Sequence, residues 1–177
     1  MSYSSGRMLL SSQREGQISR FHAWVLITVP LAAILFQVYV PLVFQFLGFV
    51  EMPLLVVVYF ALMRRSPVSG LLVGAIVGLM QDSLSKVPLG MYGIVKTLVG
   101  YLAASIGMRL DVDHGFIRLI LSFIFFLFHQ IMFWVMERAL LSHQPAFEVQ
   151  RWVVLGALNA LIGLALFHFL DKLRETA

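Results

Sequence analysis

Apolar runs long enough to cross a lipid bilayer recur along almost the whole chain, from Phe21 to Leu170, and short charged turns separate them. A helix needs about 20 predominantly apolar residues to span the ~30 Å hydrocarbon core of a membrane. The composition agrees, because 60% of the 177 residues are hydrophobic and only 12% are charged. Only helices and closed barrels satisfy their backbone inside lipid. The runs therefore predict an all-α, polytopic membrane protein.

The runs predict six transmembrane helices. The predicted spans are 21–40, with Pro30 inside it and Pro41 at its end, then 52–63, 67–81, 89–108, 116–136 and 151–170. This pattern predicts one membrane domain at 21–170, between a polar N-terminal tail at 1–20 and a short C-terminal tail at 171–177. The tail at 1–20 resembles the basic region of a signal peptide, but no small-residue cleavage pattern follows it, so we expect the first helix to be retained.

The second span is the hardest to place. Residues 52–63 alone would cover only about 18 Å at the helical rise. The helix therefore either begins before Glu51 or thins the bilayer locally. We expect it to begin near Glu51 and Pro53, because an acidic residue suits a helix N-terminus and proline suits its first turn. Arg64 and Arg65 would end it.

The distribution of basic residues predicts the orientation. If the N-terminus is cytoplasmic, the cytoplasmic side holds Arg7, Arg14, Arg20, Arg64, Arg65, Arg109, Arg118, Lys172 and Arg174, and the outer side holds only Lys86, Arg138 and Arg151. Short cytoplasmic loops carry an excess of Lys and Arg in membrane proteins. Both termini are therefore predicted to be cytoplasmic.

Small residues are concentrated in the third and fourth predicted helices. Gly70, Gly74 and Gly78 stand four residues apart, and Gly93, Thr97, Gly100, Ala104 and Gly107 alternate by four and three, so each set forms one helix face. Such faces let two backbones approach closely within lipid. We expect these glycines to pack helices together, with internal packing favoured over the docking of a foreign helix.

A polar turn joins these two helices. It contains Asp82 and Ser85 and is closed by Pro88 and Gly90, and Lys96 lies inside the next apolar run. A charge within the membrane needs a partner, a water-filled cavity or a route to the interface. Either Asp82 and Lys96 pair and shape a partner or ligand surface, or the lysine snorkels and the two never touch.

Three further polar side chains lie inside predicted spans, namely Gln37, His129 and Asn159. Asn159 shares a helix face with two glycines, and we interpret it as a hydrogen-bonding contact between helices. A proton relay through His129 is conceivable. Because the sequence places no second titratable residue beside it, a packed, hydrogen-bonded histidine is favoured.

The sequence gives no support for catalysis. It lacks the Gly-x-Ser-x-Gly, His-Glu-x-x-His and Gly-x-x-x-x-Gly-Lys patterns, and its carboxylates are too dispersed for a paired acid–base site. There are no cysteines, and the basic residues are scattered beside apolar runs. We therefore expect no catalytic residue, no metal or cofactor and no nucleic-acid partner.

The segment from Met52 to Gly107 resembles the rod shape-determining protein MreD family. In that family a short apolar second helix ends in a basic pair, and a glycine-rich third helix ends in an Asp-x-x-Ser turn before a Leu-Gly that opens the fourth helix. The matching positions are Asp82, Ser85, Leu89 and Gly90. The chain departs from the pattern at Lys86, where many members carry glycine.

The resemblance implies an inner-membrane component of the bacterial elongation (rod) complex. The implied fold is similar to the six-helix substrate-binding component of energy-coupling-factor transporters. The implied partners are MreC, most directly, then MreB, RodA and its penicillin-binding transpeptidase, within the lipid bilayer. We interpret the chain as a non-enzymatic scaffold that binds MreC. The alternatives are a substrate-binding subunit of a vitamin transporter, or a proton or solute channel lined by Lys96, His129 and Asp82.

Overall fold

The computed structural model describes residues 21–85, 87–140 and 146–173. The predicted tail at 1–20, Lys86 and most of the C-terminal tail lie outside this part of the chain. Its elements are α1 (Ala23–Val43), a 3₁₀ turn η1 (Gln45–Phe49), α2 (Met52–Arg64), α3 (Pro67–Leu84), α4 (Met91–Gly107), α5 (Gly115–Leu140) and α6 (Val149–Asp171).

Five segments of the described chain are long and apolar enough to cross a membrane. They are Trp24–Val43, Gln45–Arg64, Pro67–Leu84, Gly115–Leu140 and Val149–Asp171. The remaining helix, α4, is apolar but has 17 residues, about 25 Å at the helical rise. These elements are those of an all-helical polytopic membrane protein, as the sequence predicts.

Helix α2 forms the centre of the bundle. Every residue from Pro53 to Met63 is buried, and all five other helices contact α2. A helix that is apolar on all sides is expected in the interior. It begins after Glu51 with Pro53 in its first turn and ends at Arg64, so the predicted limits are confirmed.

Several helices are longer than predicted. Helix α1 continues through Pro41 to Val43, so the predicted end at Pro41 is wrong. Helix α3 continues to Leu84, and residues 137–140 and 149–150, between the last two predicted spans, belong to the ends of α5 and α6. In α3, α5 and α6, hydropathy falls where the charged residues begin, whereas backbone hydrogen bonding continues past that point.

Candidate functional site

The glycine stripes bring α3 and α4 into contact at the backbone. A Cβ added at Gly70 would overlap the carbonyl oxygen of Gly100, and one at Gly74 would overlap that of Lys96. A Cβ added at Gly78 would overlap the carbonyl oxygen of Tyr92. Any side chain at these positions would push the two helices apart, so the spacing read from the sequence corresponds to a real helix–helix contact.

The stripe on α4 faces two different helices. Gly93 and Gly100 face α3, where an added Cβ at Gly93 would lie 2.8 Å from Leu79 Cδ2. Gly107 instead faces α2, where its Cβ would lie 2.6 Å from the carbonyl oxygen of Leu62. Helix α4 therefore packs against α3 through Gly93 and Gly100, and against α2 through Gly107 at the end of α4.

Asp82 supplies the N-terminal cap of α4 from the neighbouring helix. Its carboxylate, which is buried, accepts hydrogen bonds from the backbone N–H groups of Gly90 (3.0 Å), Tyr92 (3.0 Å) and Gly93 (2.9 Å). The first N–H groups of a helix lack partners within the helix, and a negative charge there also complements the helix dipole. Asp82 thus satisfies the start of α4 and fastens it to α3.

The other motif residues support this cap. The hydroxyl of Ser85 donates to the Asp82 carbonyl oxygen at 3.4 Å. Gly90 adopts φ +98°, a left-handed conformation that glycine reaches without strain and that aims its N–H at Asp82. Leu89 points outward and is 78% exposed. The motif therefore encodes a helix cap with one apolar side chain presented at the surface.

Lys96 lies in a buried polar cluster formed with Glu51 and His129. Its Nζ lies 3.9 Å from Glu51 Oε2, 3.4 Å from His129 Nε2 and 4.4 Å from the centre of the Tyr92 ring. The side chain is fully buried. The structure shows neither an Asp82–Lys96 ion pair nor a snorkelling lysine, because the buried Lys96 contacts Glu51 and His129 instead. Asp82 and Lys96 do not touch, as the second alternative expects. Asp82 is already engaged by the start of α4.

Two polar atoms of the cluster have no hydrogen-bond partner among the described residues. As an ammonium donor, Lys96 makes His129 Nε2 an acceptor, which places the proton of a neutral His129 on Nδ1. Neither that Nδ1 nor Glu51 Oε2 has a hydrogen-bond partner among the described residues. His129 is buried and lies within hydrogen-bonding distance of Lys96 on α4, so the packed histidine favoured from the sequence has a titratable neighbour that the sequence does not place beside it.

Gln37 and Asn159 hold the irregular backbone between η1 and α2. Asn159 Oδ1 accepts from the N–H of Glu51 at 2.8 Å, and its Nδ2 donates to the carbonyl oxygen of Phe49 at 2.8 Å. Gln37 Oε1 accepts from the N–H of Met52 at 3.2 Å. Non-helical backbone at membrane depth is tolerated only where other groups satisfy it. These two amides, from α1 and α6, provide that satisfaction.

Two surface cavities border these residues. A groove of about 280 Å³ lies beside the Asp82 cap, lined by Leu79, Gly90, Gly93, Ile94, Thr97 and Leu98. A cleft of about 710 Å³ lies at the start of α6, lined by 147–151, Val154 and Leu155. The described residues contain no group of three His, Cys, Asp or Glu side chains suited to a metal ion.

The family model of the rod shape-determining protein MreD matches residues 19–176, nearly the whole chain. The chain belongs to this family. No curated protein and no solved structure matches it. The MreD family is one of rod shape-determining membrane proteins, and the several apolar helices fit a multi-pass protein of the bacterial inner membrane.

A second, partly buried ion cluster lies elsewhere in this MreD-family chain and is not predicted from the sequence. The guanidinium of Arg118 binds the Asp171 carboxylate and donates from Nε to the carbonyl oxygen of Val112 at 2.6 Å. Asp171 also accepts from the Tyr59 hydroxyl at 2.9 Å. By the sequence prediction, Arg118 is one of the basic residues that set the orientation in the membrane, and Asp171 belongs to the C-terminal tail. An arginine just inside an apolar run was the available signal.

Glu51 was the other functional residue that the sequence did not place. Its position at the start of α2 was predicted, but its side chain was interpreted only as a partner of the helix dipole. In the structure the same residue joins three elements, through its backbone to Asn159 and through its carboxylate to Lys96. An acidic residue inside an apolar segment was the available signal, since such residues require partners.

Proposed function

We propose that this protein is a non-enzymatic scaffold of the bacterial rod complex that binds MreC and helps to organise lateral peptidoglycan synthesis. It would cross the inner membrane six times, with a cytoplasmic tail at each end. MreB, RodA and its penicillin-binding transpeptidase would be further partners. The observation that carries the proposal is the membership of the MreD family over nearly the whole chain.

The proposed MreC-binding surface is the apolar groove beside the motif turn. Leu89 and the groove residues Ile94 and Leu98 are exposed, and the groove has glycine in its lining. Small residues permit close approach of another helix within lipid. On this proposal Asp82, Ser85, Gly90 and Lys96 act from the interior by fixing the position of α4, and no chemical step is involved.

The geometry favours this role over the vitamin-transporter alternative. A substrate site in the membrane would need convergent polar groups facing an accessible cavity. The interior side chains of Lys96, Asp82 and Asn159 instead contact another interior side chain or the backbone. The groove is lined almost entirely by apolar atoms. The channel alternative requires Asp82 to line the path. The Asp82 carboxylate instead accepts hydrogen bonds from three backbone N–H groups.

Co-purification with MreC from mild detergent tests the proposal. We expect a stoichiometric complex with the parent chain and at least about a tenfold loss of bound MreC for Leu98→Trp, by the usual cost of overpacking. Leu161→Trp is the matched control, because Leu161 is also exposed but lies on α6. Recovery of a bound vitamin with an ATPase pair, or equal MreC binding by the two variants, would contradict the proposal.

A further inference from the structure

Three arginines lie at the end of the bundle where α2 and α4 end. Gly107 packs on the backbone of Leu62, so the two helix ends are side by side, and Arg64, Arg65 and Arg109 follow directly. Among the residues that the structure describes, no carboxylate lies within ion-pair distance of these three side chains. Three guanidinium groups thus lie at one end of the bundle with no carboxylate of residues 21–85, 87–140 or 146–173 as counter-ion.

The backbone of Arg65 adopts a conformation that normally selects glycine. Its φ is +49°, in the left-handed region, and its N–H donates to the carbonyl oxygen of Ala61 at 3.2 Å to close α2. Glycine is the usual residue at this position after a helix, because a Cβ is strained there. A strained non-glycine residue points to a use for its side chain.

The acidic groups near this end do not neutralise the arginines. Asp171 is bound by Arg118 and Tyr59, and Asp113 lies 3.5 Å from Arg118. Asp111 is exposed and accepts from the backbone N–H of Asp113 at 3.3 Å. Within the part of the chain that the structure describes, the positive charge of the three arginines is therefore not neutralised by an ion pair.

The side chains that flank Arg109 are apolar and open to the surroundings. Met108 is 53% exposed and Leu110 is 43% exposed. Cations at the end of membrane helices, next to exposed apolar side chains, are suited to a molecule with an anionic head and hydrocarbon tails. Basic pockets between helix ends bind anionic lipid headgroups in other membrane proteins.

We propose that Arg64, Arg65 and Arg109 form a binding site for the phosphate of an anionic phospholipid, with Met108 and Leu110 contacting its acyl chains. The guanidinium group donates two parallel hydrogen bonds to phosphate oxygens, which an ammonium group does not. The site would hold lipid at the α2–α4 end of the bundle, away from the groove proposed for MreC.

Native mass spectrometry of the detergent-purified full chain tests the site with cardiolipin and phosphatidylglycerol as probes. We expect retained adducts of both and fewer of phosphatidylcholine. Each of Arg64→Gln and Arg109→Gln should weaken apparent affinity about fivefold, since a cation near anionic lipid contributes about that factor. Arg138→Gln is the control, an exposed arginine on α5. Equal retention of all three lipids, or equal loss in the control, would overturn the proposal.

Arg65→Gly separates binding from folding, because the two effects have opposite signs. In lipid-free detergent the unfolding midpoint should stay equal or rise, since strain at φ +49° is relieved, while cardiolipin affinity falls about fivefold. Arg65→Asn, which also tolerates this conformation, should behave alike. A lower midpoint in both variants would overturn the strain argument. Inorganic phosphate or an acidic peptide binding as tightly as cardiolipin would overturn the assignment to lipid.

Discussion

The two buried ion clusters of this protein differ in how completely their polar atoms are used. Arg118 binds Asp171 and a backbone carbonyl oxygen, and Asp171 is bound in turn by Tyr59. In the other cluster, Lys96 Nζ lies 3.9 Å from Glu51 Oε2, and neither that oxygen nor His129 Nδ1 has a hydrogen-bond partner among the described residues. The clusters are about 16 Å apart along α5, from Arg118 to His129, at the helical rise.

The difference shows that buried charge serves two purposes in one bundle. The Arg118 cluster connects the start of α5 to the end of α6 through short, directional contacts, so it should hold these two helix ends together. The Lys96 cluster joins the start of α2 to α4 and α5 through a longer contact, and it retains unused hydrogen-bonding capacity. Charge-assisted contacts are strong only when close and well oriented, so the two clusters should differ in energy.

The largest effect is expected at the glycine contact that positions Lys96. Gly74→Leu places a side chain against the backbone of Lys96, where even a Cβ overlaps, so α3 and α4 must separate. We expect a loss of stability above about 4 kcal/mol, enough to remove most folded protein. Yield of monodisperse protein in detergent measures it.

Gly115→Leu is the matched control, because an added Cβ at Gly115 would meet only Leu164 Cδ1, at 3.6 Å. Near-parental yield of the Gly74→Leu variant would show that the α3–α4 contact does not hold the Lys96 cluster in place.

Substitution of Arg118 should have the next largest effect on stability. Arg118→Met leaves the Asp171 carboxylate, which is 30% exposed, without its cation. We expect the free energy of unfolding to fall by about 3 kcal/mol, the lower end for a broken buried pair. Denaturation in mixed micelles measures the change. The exposed Arg138→Met should stay within about 0.5 kcal/mol, and an equal loss in both variants would show that the pair contributes no specific stability.

The Lys96 cluster should show a smaller, coupled effect. Lys96→Met and Glu51→Gln should each cost about 1–2 kcal/mol, since each leaves a buried polar group unpaired. The double variant should recover part of this loss, with a coupling of about 1 kcal/mol. A thermodynamic cycle from the same denaturation measurements tests it. Strictly additive losses would mean that the 3.9 Å contact carries no energy, which would widen the contrast with Arg118.

Features set by spacing along one helix could be predicted from the sequence. The stripe of Gly70, Gly74 and Gly78 and the start of α2 at Glu51 and Pro53 follow from helical periodicity and helix-end preferences, which are local. Asn159 was correctly expected to hydrogen-bond between elements, because an amide inside an apolar helix has few other options.

Partners far apart in the chain could not be predicted. Glu51, Lys96 and His129 come from three helices, and Arg118 meets Asp171 across a separation of 53 residues. Hydropathy indicates that each charge needs a partner but does not select one. The proximity of Asp82 and Lys96 in sequence suggests a possible pair that the structure does not form, because the backbone N–H groups of α4 compete for the Asp82 carboxylate.

The cap that Asp82 places on α4 has a consequence for biogenesis. Its three acceptor contacts, and the contacts that Gly70, Gly74 and Gly78 make with α4, all lie within the consecutive helices α3 and α4. Such a pair needs nothing that is synthesised later. We expect α3 and α4 to pack together as soon as both have entered the lipid, so that α5 and α6 pack later against a helix pair that has already formed.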